Sequence, residues 1–380
     1  ARQPGAPPQP AADASNASAR EAKWIQKGRS IKIYVYDLPA DIALQVSEEE
    51  RNHNYYFEAV LPKLLRMSSA HRVFDPRQAD FFFVPVEAAA YWYLCKTKNS
   101  CSTEKADQLV TAYLRSVGPW WDMYQERHIV PSLRCPVPAK SGPSMKPTFP
   151  ELWEGRAQLL CLQAARDTLD ERRALHVGYY VPDMNVSDLL PANTSERDLL
   201  AVYIGAAINR YRMTASSWME RACSDCRTFV LKEHSSAGSD VLRGYHAALK
   251  RARFSIEPPG DTLERMSRDA GLMAGSIPVV FEYPEGYGFH RQYLPWAPVL
   301  DWPSFSVNFT MEALEVADLQ NFMPRLDKLL RNMVSSGEAD RLYAGLAHAQ
   351  KRLRWSEEGV VTTFAGMLAH RKHYLKQGSP

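Results

Sequence analysis

Residues 258–281, PPGDTLERMSRDAGLMAGSIPVVF, place a turn, a short helix and an apolar strand in one run. Pro258 and Pro259 stiffen the exit from the stretch RFSIEP, and Gly260 lets the backbone come close to a ligand. Asp261 or Thr262 caps the helix expected over 262–274. The unpaired N–H groups of its first turn, with the helix dipole, make a binding spot for phosphate. Thr262 and Ser267 add hydroxyl donors and Arg265 a charge-assisted one, while Asp261 is expected to cap or to face a sugar hydroxyl. Gly275, which follows the helix and precedes the strand IPVVF, is expected among the donor-binding residues. A well-made α/β turn without a ligand has the same pattern. The fingerprint Gly-x-Gly-x-x-Gly is absent, which opposes nicotinamide or flavin chemistry.

A second stretch, GAAINRYR, follows another apolar run. Gly205 leaves the strand end, and Arg210 and Arg212 sit just beyond it, on the sheet edge expected to carry Gly260. Guanidinium groups there would neutralise a leaving diphosphate.

The elements that must position these residues follow from periodicity. IKIYVYDLP over 31–39 alternates and reads as a strand, NYYFEAVLPKLLRM has helical spacing, and ADFFFVPV over 79–86 reads as a strand covered on both faces. Strand, helix, strand begins a doubly wound sheet. TEKADQLVTAYLRSV is expected as helix, PWWDMYQERHIV as helix into strand, and the Pro- and Ser-rich residues 135–150 as loop. From 198 the rhythm is strict: DLLAVYIGA, RTFVLK, RFSIEP and IPVVF as strands, with helices between them, the first capped by Thr214. The last 60 or so residues read as helical. The expected architecture is α/β, with two Rossmann-like halves facing a cleft. The first half runs over 29–195 on the acceptor side, the second over 196–355 with the donor, and 356–380 forms a helix returning to the first half.

The chain has 380 residues and a net charge of +3, too little to argue for nucleic acid. No window has the roughly 20 apolar residues of a membrane helix. Residues 1–28 are rich in Pro, Ala and Ser and are expected to be a disordered stem, cut from an N-terminal membrane anchor. Asn16, Asn185, Asn193 and Asn308 are in glycosylation sequons. Six cysteines agree with an oxidising lumen: Cys95 with Cys101, Cys223 with Cys226, and Cys135 with Cys161 as the remaining couple. Zinc is the alternative for the Cys-x-x-Cys, but the other cysteines are spaced wrongly to complete it.

KIYVYDLP, ADFFFVPV, PPGDTLERMSRDAGLMAGSIPVVF and YLPWAPVLDWPSFSV resemble the exostosin family of glycosyltransferases (family 47) over most of residues 30–355. The plant cell-wall branch, similar to the xyloglucan galactosyltransferases, is the nearest echo. Gly260, Asp261, Thr262, Arg265, Ser267, Ala274, Gly275, Ile277, Pro278 and Val279 match its signature. Ser276 stands where that family usually has Cys, and Ala270 where it usually has Asp or Glu; Asp269 is adjacent. The resemblance implies a Golgi type II membrane protein with the GT-B fold. It also implies an inverting enzyme that takes a nucleotide diphosphate-sugar (a UDP-sugar) to a polysaccharide or glycoprotein glycan.

Inversion calls for a base to take the acceptor proton. Glu87, just after FFFVPV, is the first candidate, and His128, which resembles a family Asp-His position, the second. Tyr91–Trp92–Tyr93 and the Trp120–Trp121 pair would stack on sugar or pack in the core. No Asp-x-Asp motif stands at a strand end, so no cofactor is expected to be required, and metal dependence stays open. Assembly as a homo- or hetero-oligomer stays open. A catalytically silent relative that binds glycan or stabilises a partner is the alternative, kept open by Ala270. A cytosolic nucleotide-dependent enzyme is the third reading, opposed by the sequons and cysteines.

Overall fold

The structure is a computed structural model. It describes residues 11–40, 42, 56–98, 102–134, 151–152, 155–163, 173–181, 194–206, 210–231, 239–258, 265–282, 294–297, 299–311 and 321–376. Strands β1 (Ile33–Val35), β2 (Arg72–Val73), β3 (Phe81–Phe83), β4 (His128–Arg134), β5 (Gln158–Gln163) and β6 (Ala174–His176) form one parallel sheet, ordered β2-β1-β3-β4-β5-β6. Phe81 and Phe83 enter one core and Phe82 the other, as period-2 alternation requires of a strand covered on both faces. Helices α1 (Ala11–Gly28) and α2 (Phe57–Met67) belong to this lobe, with α3 (Ala88–Lys98), α4 (Thr103–Ser116) and the short α5 (Trp120–Met123).

The second sheet is also parallel. It contains β7 (Leu199–Ala206), β8 (Cys226–Leu231), β9 (Ala252–Ile256), β10 (Ile277–Glu282) and β11 (Val307–Thr310), in the order β11-β10-β9-β7-β8. Three crossover helices join its strands: α6 (Arg210–Ala222), α7 (Ser239–Arg251) and α8 (Met266–Ala274). Val202 and Ile204 pack under Tyr245, Leu249 and Ala270 on one face, while Ala201, Tyr203 and Phe254 face the main core. α6 begins at Arg210, so Thr214 is inside the helix and not its cap, a correction to the expected start. Helices α9 (Phe322–Ser335) and α10 (Glu338–Leu353) complete this lobe, and α11 (Thr362–Lys376) packs on α1.

At the amino edge of this sheet one side chain closes two helix ends. Arg197, 1% exposed, donates from one terminal nitrogen to the carbonyls of Leu249 (2.9 Å) and Ala252 (2.8 Å), and from the other to Ala274 (2.8 Å). Those carbonyls stand at the C-terminal ends of α7 and α8, where a cation also meets the negative end of each helix dipole. Ser276 Oγ shares the Leu249 and Ala252 oxygens at 2.7 and 3.0 Å, which gives this departure from the family's Cys a structural role. Gly275 is the cap of α8 at φ 83°, a left-handed conformation that favours glycine. Arg197→Met is expected to lower unfolding free energy by about 3–5 kcal/mol, because the buried carbonyls lose a charged donor. Denaturant titration checks this, and a loss below about 1 kcal/mol would show that the clamp is dispensable.

The expected disordered stem is corrected over 11–28. These residues form α1, in which Trp24 and Ile25 are buried against α11. Alanine-rich sequence has high helix propensity, and the apolar Trp–Ile pair supplies the docking face. The two helices cross very closely: a Cβ on Gly28 would lie 2.6 Å from the Gly366 nitrogen. α11 also lies against the first sheet, with Phe364 edge-on to Phe83 at 6.4 Å, Arg371 donating to the Ala174 carbonyl at 2.6 Å, and Lys372 paired with Asp80.

Cys223 and Cys226 are joined to each other, and Cys95 and Cys161 are each in a separate disulfide. Cys101 and Cys135 lie outside the described residues, as do Asn185, Asn193 and the expected loop 135–150. Asn16 is on α1, and Asn308 is half-buried on the edge strand β11.

Candidate functional site

The carboxyl ends of β7 and β9 converge on one buried polar cluster. β9 ends at Ile256, and the next side chain, Glu257, is buried. Ser267 Oγ donates to Glu257 Oε2 at 2.6 Å. Burial pushes the Glu257 carboxyl up to about 7, against the opposing pull of Arg265, the Ser267 bond, Arg268 and Arg212. Burial likewise pushes the Tyr203 phenol up to about 12, with Arg265 and Arg212 acting in the other direction. The Tyr203 hydroxyl is buried without a hydrogen-bond partner among the described residues. Gly205 leaves room for that hydroxyl, since a Cβ there would sit 2.7 Å from it.

Backbone contacts fix the cations. Arg265 donates to the Pro258 carbonyl at 2.6 Å, and Arg212 to the Ala206 carbonyl at 3.5 Å. Tyr245 holds the Ser267 carbonyl at 3.1 Å. Helix α8 opens at this edge with Arg265 as its cap residue, whose own side chain makes no capping bond. A helix N-terminus, three guanidiniums, a serine and an orphan phenol thus surround one carboxyl. The cluster can hold a compact anion by charge-assisted hydrogen bonds.

Of the expected donor residues, Gly205, Arg212, Pro258, Arg265 and Ser267 come together here. Arg210 is exposed at the first position of α6, its guanidinium 5.5 Å from the Tyr211 ring centre. Gly275 is corrected: it caps the far end of α8, a nine-residue helix about 13 Å long, and so stands at the opposite edge of the sheet. Gly260, Asp261 and Thr262 lie outside the described residues. Glu257, Arg268, Tyr203 and Tyr245 were missed. An acidic residue at the end of an otherwise apolar strand was the available signal.

Two acidic-position expectations resolve differently. Ala270 packs in the core under β7, not towards the Glu257 cluster. Asp269 is turned to the other lobe: its Oδ2 accepts from the Tyr179 backbone at 2.7 Å, and its Oδ1 pairs with Arg268 at 3.5 Å. Gly178 admits this contact, because a Cβ there would press 3.1 Å from Asp269 Oδ2 and 3.3 Å from Trp296 Nε1. Tyr180 extends the same junction, stacked on Tyr56 (5.1 Å) and edge-on to Trp355 (5.3 Å).

On the first lobe, Glu87 is buried at the carboxyl end of β3, immediately before α3, and its carbonyl accepts the Tyr91 amide at 2.9 Å. His128 is corrected as a base. It is wholly buried, with Nδ1 2.9 Å from the Tyr124 carbonyl and Nε2 2.9 Å from the Tyr36 hydroxyl, so both ring nitrogens are engaged. It stacks on Phe82 at 4.7 Å, and burial holds it down at about 4. Of the tryptophan pair, Trp121 is fully buried and packs edge-on to His128 at 4.8 Å; Trp120 stacks on Phe82.

The sequence matches the Exostosin GT47 domain over residues 27–320. It is similar to a protein of Arabidopsis thaliana named as a probable glucuronoxylan glucuronosyltransferase, at 24% identity over 314 residues. That match covers 77% of this chain and 63% of the relative, so the chain spans less than two thirds of that protein's length.

Proposed function

We propose, from the premise that this chain belongs to the exostosin GT47 family, that it is an inverting glycosyltransferase. Its donor is a nucleotide diphosphate-sugar, a UDP-sugar, and its acceptor a cell-wall polysaccharide or glycoprotein glycan. The place is the Golgi lumen, with the chain held to the membrane by an N-terminal anchor. No helix among the described residues is long and apolar enough to cross a membrane. The two parallel-sheet lobes are the GT-B arrangement of this family. The observation that carries the reading is the Arg212–Arg265–Arg268 group around Glu257 at the carboxyl edge of the second sheet.

In the proposed step the acceptor hydroxyl attacks the anomeric carbon. A carbon–oxygen bond forms there while the bond to the diphosphate oxygen breaks on the opposite face. The acceptor proton passes to Glu87. The charge growing on the diphosphate is met by Arg212, Arg265 and the opening turn of α8.

Glu257 sets a pH dependence for donor binding. Below about 7 its carboxyl is neutral; above about 7 it is a carboxylate and removes one unit of positive charge from the cluster. A diphosphate prefers the first state, so affinity is present at low pH and declines as pH rises through about 7. UDP affinity is expected to fall by about tenfold from pH 6.5 to pH 8, and Glu257→Gln to flatten the curve. Calorimetry at both pH values checks this. Parallel curves for the two proteins would remove Glu257 from donor binding.

A panel of nucleotide sugars tests the reaction: release of free nucleotide diphosphate from one donor supports transfer. Because Asp269 is committed to the lobe junction and Ala270 to the core, saturable glycan binding without turnover would favour the silent relative. Turnover is expected to survive EDTA, since guanidiniums and a helix end take the place of a cation. Complete loss, restored by manganese, overturns that expectation.

A further inference from the structure

The opening of α8 serves two lobes at once. Arg265 and Ser267 belong to the Glu257 cluster on the donor side. Two residues further on, Asp269 reaches the first lobe, where its Oδ2 accepts the Tyr179 amide just beyond β6 at 2.7 Å. Asp269 is 8% exposed, so this charge-assisted bond is made away from water, where it is strong. Arg268 stands between the two sides. It is buried, its Nε lies 3.5 Å from Asp269 Oδ1, and its charge also acts on the Glu257 carboxyl. Its guanidinium rests over the Trp302 ring, 5.2 Å from the centre.

The chain leaving β6 is gripped from the second lobe at two points. The Trp296 amide donates to the His176 carbonyl at 2.9 Å, and Asp269 takes the amide three residues later. Gly178 lies between these points, with its missing Cβ replaced by the approach of Asp269 Oδ2. Residues 265–269 span little more than one turn of helix, which is rigid. The spacing between the diphosphate contacts and the first sheet is therefore set across that one turn.

We infer, resting on the transfer reading above, that Asp269 is a positioning residue: it fixes the register between the helix that holds the diphosphate and the lobe that carries Glu87. It acts through Tyr179 and α8. A misplacement of about 1 Å between reacting groups costs as much as about 10²-fold in rate, so a contact between the lobes is felt in kcat.

The full chain carrying Asp269→Ala, Asp269→Asn or Gly178→Ala tests this with three readouts: kcat with the donor found by the panel, UDP affinity by calorimetry, and amide hydrogen exchange of residues 177–181. Asp269→Ala is expected to lower kcat by about 10²-fold and to leave UDP affinity within about twofold of the parent, because Arg212, Arg265 and Ser267 stay in place. Exchange of residues 177–181 is expected to speed up by about tenfold or more. Asp269→Asn keeps an acceptor for the Tyr179 amide and recovers part of the loss. Asp269→Ala also leaves Arg268 buried without its carboxylate, and if that variant does not fold, Gly178→Ala carries the test. Its Cβ would press 3.1 Å from Asp269 Oδ2 with every charge kept, and kcat is expected to fall by about threefold to tenfold. A purely structural role would lower the unfolding midpoint and leave kcat of the folded variants unchanged, and that result overturns the inference. UDP affinity falling in step with kcat overturns it too, by placing Asp269 in donor binding, as does unchanged exchange in the Asp269 variants. A parent that transfers no sugar refutes the transfer reading instead, and the exchange measurement then decides by itself whether Asp269 holds the lobes.

Discussion

Replacing Arg265 by alanine is expected to lower kcat/KM for sugar transfer by about 10²–10³, the range found when one preorganised donor to a developing anion is removed. Arg265 is the first of the groups that oppose the burial shift on Glu257, and its guanidinium is held by the Pro258 carbonyl at 2.6 Å. Its loss has two opposed effects, of which the first dominates. One charge-assisted donor to the diphosphate disappears, while the Glu257 carboxyl, driven further up, stays neutral and returns a small part of the affinity. Arg265→Lys keeps the charge but not the fork, so it is expected to recover part of the loss. Steady-state kinetics with the donor found by the panel reads this. Turnover within twofold of the parent in the alanine variant would place the diphosphate elsewhere.

Glu87→Gln is expected to lower kcat by about 10²–10⁴, the contribution of a positioned general base, and to leave UDP affinity unchanged. The split between kcat and donor affinity is the informative part. Glu87 follows β3 of the first sheet, whereas the cationic cluster is built on β7, β9 and α8 of the second. A base on the acceptor side has no reason to alter nucleotide binding. Equal losses in both quantities would mean that the substitution disturbs the fold and that the proton goes to another group.

The two sheets were legible because their central strands are nearly continuous apolar runs, such as DFFFV and LLAVYIG. Short or polar-flanked strands were not. β2, β5 and β11 carry Arg72, Gln158 and Asn308, and their identity as strands comes from the neighbours they pair with. α1 is not legible in the sequence because Ala- and Ser-rich composition also fits a disordered segment. Its docking depends on α11, more than 300 residues away, which no local pattern encodes. In the site, Arg212, Arg265 and Ser267 were found from their place after strand ends. Glu257 reads in the sequence as part of a strand exit. His128 failed as a base for a three-dimensional reason: Tyr36, Phe82, Trp121 and Tyr124 enclose it from three separate stretches of chain. Gly275 and Ser276 show the converse case, in which motif residues serve the helix end and the carbonyls beneath it.

The close crossing of α1 and α11 has a consequence for biosynthesis. Domains emerging from the ribosome generally fold in the order they are made. Here α1 has its resting place on α11, made more than 300 residues later, with Gly28 pressed to Gly366 and Trp24 against His370. The leading lobe must therefore wait, with Trp24 and Ile25 uncovered, until residue 376 has been translated. Chains released early would present that surface to chaperones, however complete their second lobe had become.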